Sequence, residues 1–142
     1  MIQRIQNLYL GLAVILVSIG LIFNLQYFTD GSVQHANSDM LISGRIVLIL
    51  IIILNLGTIF SYKKLITQKF LLKLLLLINI LYLVFLIGSV FFIVGEKSRI
   101  EPEIALNYFY FILPIALVLL TVLALKGVKN DIRILSSADR LR

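Results

Sequence analysis

The sequence predicts an all-α membrane protein of four transmembrane helices, arranged as an up-down-up-down antiparallel bundle. Three observations predict it. The chain of 142 residues is 61% hydrophobic and only 14% charged, far from the composition of a water-soluble domain. Its charged residues cut it into four uncharged stretches, 5–29, 46–62, 74–95 and 104–125, each long enough for a helix to cross about 30 Å of hydrocarbon. The connections between them are short, which makes consecutive helices antiparallel neighbours.

The first stretch follows Arg4 and resembles a secretory signal, but it is longer than a signal's apolar region and lacks a small-residue cleavage site. It is therefore read as a retained span over 6–28. The second stretch is the shortest and extends back over 43–62 if Arg45 reaches out to the membrane surface. The third is placed at 72–95 after a basic hairpin over 63–73, and the fourth at 105–126 after a loop containing Pro102. A single domain, 1–142, accounts for the whole chain, with 127–142 as an amphipathic tail. A β-barrel is excluded, because the runs are too long and do not alternate polar with apolar. Helices alone satisfy their backbone amides within one segment.

Orientation is read from the basic residues. Arg4, Lys63, Lys64, Lys69, Lys73, Lys126, Lys129, Arg133, Arg140 and Arg142 fall on one side, against Arg45, Lys97 and Arg99 on the other. Acidic residues are biased the opposite way, five of the seven lying with the smaller basic set. The positive-inside rule then places both termini in the cytoplasm and the protein in a bacterial inner membrane. The net charge of +6 suits contact with anionic membrane lipids and does not indicate nucleic acid. With no cysteine, disulfide and thiolate chemistry are excluded.

The opening Met1-Ile2-Gln3-Arg4-Ile5-Gln6, followed by Leu8-Tyr9-Leu10, and the closing Ser137-Ala138-Asp139-Arg140-Leu141-Arg142 resemble the two ends of a family of small four-span membrane proteins known mainly from Bacteroidetes and classed as a domain of unknown function. The likeness covers the chain, although between the termini it is hydropathy alone. The sequence departs from that pattern at Ser136, where a basic residue is expected. The resemblance implies a membrane location and topology, and no reaction.

The candidate sites are few. No charged residue falls within an expected span away from its ends, and every Asp and Glu is placed in a loop or the tail, which argues against a self-sufficient proton-coupled transporter. His35, in the first loop near Asp30 and Asp39, has the composition of a weak metal site and is read as an ordinary loop residue. Ser18, Ser61 and Ser89 have no base near them in sequence. No catalytic residue, cofactor or metal is expected, nor any small-molecule substrate.

Asn55 and Asn79 lie about 12 Å and about 9 Å into the second and third spans, counted at 1.5 Å per residue from Lys63 and Lys73. This similar depth predicts an interhelical polar contact between them. Gly57 and Ser61 have a small-xxx-small spacing that permits close helix approach. Pro114 removes a donor from the fourth span and predicts a kink there. Tyr108 and Tyr110 fit an aromatic belt at the outer interface. In the tail, Val128, Ile132 and Leu135 form an apolar stripe on one face of a helix continuing from the fourth span, with Ser136 or Ser137 expected to cap a final turn. Ser137, Asp139, Arg140 and Arg142 are the expected docking residues of that tail. The function expected from these features is that of a non-enzymatic accessory or assembly subunit of a larger membrane complex. The alternative is a homo-oligomeric channel or lipid-binding protein.

Overall fold

The computed structural model describes residues 3–22, 38–97 and 109–139. Among them are four α-helices and no strand: α1 (Gln3–Ile22), α2 (Ser38–Phe60), α3 (Leu65–Lys97) and α4 (Phe109–Asp139). Each holds a segment long and apolar enough to cross a membrane. α1 packs against α2 and α4, and α3 packs against the same two, so the helices close a ring with α1 and α4 in the most extensive contact.

The packing has a heptad rhythm. Buried residues recur at alternating steps of four and three: Gln6, Leu10, Ala13 and Val17 in α1; Leu48, Ile51, Asn55 and Thr58 in α2; Gln68, Leu72, Leu75, Asn79, Tyr82 and Leu86 in α3; Leu117, Thr121, Ala124, Val128 and Asp131 in α4. Steps of four and three keep one narrow seam facing the neighbouring helices, as in a coiled coil. Large apolar residues off the seam, such as Ile15, Ile53, Leu81 and Leu119, are exposed on the outside. In lipid this costs nothing, because hydrocarbon solvates leucine as well as a protein interior does.

Four residues, 61–64, separate α2 from α3. After a 3-10 turn over Ser61–Lys63, Lys64 adopts φ −114° and ψ 83°, and its N–H donates to the Ser61 carbonyl at 3.0 Å. The Gln68 N–H then donates to the Lys64 carbonyl at 2.9 Å, which opens α3. The expected hairpin over 63–73 is thereby corrected. Lys69 and Lys73 are residues of α3, because lysine is a good helix former whose long stem carries its charge out of an apolar layer.

α4 continues from the fourth span into the tail, as the apolar stripe predicts, and runs unbroken to Asp139; at 1.5 Å per residue, 31 residues make a helix of about 46 Å, against about 30 Å of hydrocarbon. Pro114 lies inside this helix and is buried. The expected cap at Ser136 or Ser137 is not formed. Both hydroxyls donate backwards within the continuing helix, to the carbonyls of Arg133 at 2.9 Å and Ile134 at 2.8 Å. Neither serine starts a new turn.

Candidate functional site

The seam positions are not uniformly apolar. Gln6, Asn55, Thr58, Gln68, Asn79, Thr121 and Asp131 occupy them, each at most 6% exposed. Amides and hydroxyls at such depth are retained by a helical bundle when they hydrogen-bond, and they then fix which residues face one another.

Asn55 and Asn79 are both buried, and the structure gives each a partner other than its counterpart. The Asn79 Nδ2 donates across to the Thr121 Oγ1 of α4 at 2.9 Å, and that hydroxyl donates to the Leu117 carbonyl at 2.6 Å. The Asn55 Nδ2 donates to the Ile51 carbonyl of its own helix at 2.8 Å. Neither Oδ1 accepts a hydrogen bond among the described residues, so no direct amide-to-amide bond joins the pair. Equal depth along two helices does not fix the direction in which each side chain points. α4 takes the bond instead because the Thr121 hydroxyl both accepts from the amide and satisfies itself on its own backbone.

The difference has a measurable consequence. Asn79→Ala is expected to destabilise the folded bundle more than Asn55→Ala by about 0.6 kcal/mol and at most about 1.7 kcal/mol, the range for interhelical hydrogen bonds in membranes. Reversible unfolding in mixed micelles measures it.

The most distinctive polar contact joins α1 to α4. The Gln6 Nε2 donates to the Asp131 Oδ2, between helices 125 residues apart in sequence. Gln6 is 2% exposed and Asp131 6%. Gly127, one turn before Asp131, makes room for it: a Cβ at Gly127 would lie 2.8 Å from the Gln6 Cγ. Ala124 and Val128 are buried beside it in the seam of α4. This contact falls in the segment assigned to the tail by sequence, and it buries Asp131 against α1. Gly57 behaves oppositely. It faces open space, and Ser61 bonds to the carbonyl of Gly57 in its own helix at 2.8 Å, so this spacing brings no other helix close.

Beyond Asp131 the apolar stripe is only partly covered. Val128 is buried and Ile132 is packed on the core, whereas Leu135 is 53% exposed. Arg133, Ile134, Leu135, Ser136 and Ser137 are all exposed. Five consecutive residues at 100° each sweep more than a full turn, so no described part of the bundle covers any side of α4 there. Asp139 is the last described residue of the helix. Arg140, Arg142, His35, Asp30 and Tyr108 lie outside the described residues. Among the described residues no cluster of His, Cys, Asp and Glu is grouped as a metal site.

Four long apolar helices joined through a seam of core, amide and hydroxyl side chains define a multi-pass membrane protein. The chain belongs to the family described as a domain of unknown function (DUF4293), which matches residues 2–141. No curated protein matches it, and no solved structure does.

Proposed function

We propose that the protein is a non-enzymatic accessory or assembly subunit of a larger inner-membrane complex. The observation that carries this reading is the end of α4, which continues as helix beyond the last long apolar run and stands clear of the bundle on every side. It presents Ile134 and Leu135 beside Arg133. An exposed helix end bearing adjacent aliphatic side chains and a guanidinium suits a partner surface with an apolar patch rimmed by acidic groups. Orientation supports the same reading. The basic excess around Lys63, Lys64, Lys126 and Lys129 favours a cytoplasmic position for this end and for both termini, where Ser137, Asp139, Arg140 and Arg142 extend the docking segment.

Purification of the full chain in a mild detergent tests the proposal. Stoichiometric recovery of one larger membrane protein is expected, and its loss in an Ile134→Ser/Leu135→Ser variant that still folds. Isolation solely as a monomer or homo-oligomer overturns the proposal and favours the channel or lipid-binding alternative.

A further inference from the structure

Next to the contact between Gln6 and Asp131, a cleft of about 600 Å³ opens between α1 and α4. Three cations line it, Lys126, Lys129 and Arg133, with Asn130 among them and no carboxylate in the lining. None of the three cationic groups has an ion-pair partner among the described residues. Their convergence follows from helix geometry. At 100° per residue, Lys129, Arg133, Lys126 and Asn130 fall within about 100° of one another around α4, on its exposed side away from the buried seam. Gly127 lies between that arc and the seam, and with no side chain it lets Gln6 of α1 come close to α4 at the inner edge of the cleft.

The opposite part of the lining is apolar. Ile5 and Leu123 contribute to it, and both are exposed on the outer surface of the bundle. Lys126 is the first charged residue after the uncharged stretch 104–125. Along α4 the lining passes from the cations to Leu123 at the edge of the uncharged stretch, where a membrane passes from head groups to hydrocarbon, and Ile5 adds apolar surface at the level of the cations. A free anion would be served by the cations alone; the aliphatic wall adds value only for a ligand with a chain attached to its anionic head.

We propose that this cleft binds the phosphate group of an anionic phospholipid, with Lys126, Lys129 and Arg133 around the phosphate, Asn130 donating to the head group, and the acyl chains leaving along Ile5 and Leu123. Lysine and arginine are complementary here, the ammonium groups as mobile point charges and the guanidinium as a planar fork matched to phosphate oxygens. The site is independent of the subunit reading, because the isolated chain retains the lipid without any partner protein.

The test uses the full chain, stripped of lipid in a neutral detergent and titrated with phosphatidylglycerol, phosphatidylcholine or inorganic phosphate, with bound species read by native mass spectrometry. One phosphatidylglycerol is expected to bind ahead of any phosphatidylcholine. At about fivefold per cation near a membrane surface, Lys126→Gln/Lys129→Gln/Arg133→Gln should weaken that binding on the order of 100-fold. Lys63→Gln/Lys64→Gln/Lys69→Gln removes the same charge elsewhere and should change it less than about twofold. Lys126→Arg/Lys129→Arg keeps the charge and the binding. Should the first triple variant fail to fold, its three single variants take its place, each expected to lose about fivefold. Equal losses in the two triple variants overturn the site, as does equal binding of phosphatidylcholine. Occupancy by inorganic phosphate as strong as by the lipid shows a free-anion site and overturns the lipid assignment.

Discussion

Asp131→Ala is expected to destabilise the bundle by about 1–3 kcal/mol, the cost of leaving a buried hydrogen-bonding group without its partner. The stranded group is the Gln6 amide, 2% exposed and directed at the carboxyl group of Asp131. Gln6→Ala should cost a similar amount for the converse reason, since the Asp131 Oδ1 already has no partner among the described residues and the substitution removes the donor to its other oxygen. Removing both groups leaves neither stranded. The double variant is therefore expected to lose less than the sum of the single losses, by about 1–2 kcal/mol, a coupling within the range for residues in direct contact. Equilibrium unfolding of the four proteins in one detergent closes the cycle. Strict additivity would show that the two side chains do not interact.

The second large effect is expected at Gly127. Replacing a helical glycine by alanine ordinarily stabilises a helix by about 1 kcal/mol. At Gly127 the added Cβ would sit 2.8 Å from the Gln6 Cγ and 3.4 Å from both its Cδ and its Nε2. Cγ is the inner part of that side chain, so relief requires Gln6 to swing away from Asp131 or α1 to move off α4. Gly127→Ala should then lose the hydrogen bond and be net destabilised, while Gly127→Leu, which overfills the contact, should lose about 3 kcal/mol. Gly57 and Gly88 provide the control, because a Cβ at either meets nothing within 4 Å. Gly57→Ala and Gly88→Ala are expected to be neutral or stabilising by up to about 1 kcal/mol. The same unfolding assay on all four variants separates close approach from helix propensity.

These two sites also show what the sequence reveals and what it hides. The spans are legible because charge punctuates an otherwise apolar chain, and four helices follow from that alone. The seam is harder to find, since α3 is apolar on nearly every side and a polarity contrast cannot mark its inner face. It is marked by the exceptions. Gln6 and Ala13 are seven residues apart, as are Leu72 and Asn79, Thr121 and Val128, and Ala124 and Asp131, all of them buried. A heptad search over small and polar residues therefore points to the seam, where a hydropathy scan does not. Thr121 was open to the depth argument, because it lies five residues before Lys126, about 8 Å along the helix and close to the depth of Asn79. What depth cannot supply is azimuth, which places Asn79 against α4 and turns Asn55 back on its own helix.

Asp131 was hidden for another reason. It follows two lysines and reads as part of a solvated tail, yet α4 carries it back to the α1 surface one turn after Gly127. A glycine followed four residues later by a carboxyl group, on the same face as Ala124, is the signal that was present. Ser137 and Asp139, proposed to dock a partner, lie on that helix, so the geometry of the α4 end is inherited from the contact that anchors it.

α1 is fastened to α4 through Gln6, Gly127 and Asp131, and the cleft and the projecting end of α4 are both built on that junction. The chain has no native cysteine, so pairs introduced into the full-length protein and cross-linked in native membranes report it directly. Gln6→Cys/Asp131→Cys is expected to form a short intramolecular cross-link in high yield, and Gln6→Cys/Gln68→Cys, which pairs α1 with α3 across the ring, to form little. The reverse pattern, with Gln6 joined to α3 and not to α4, would contradict the account.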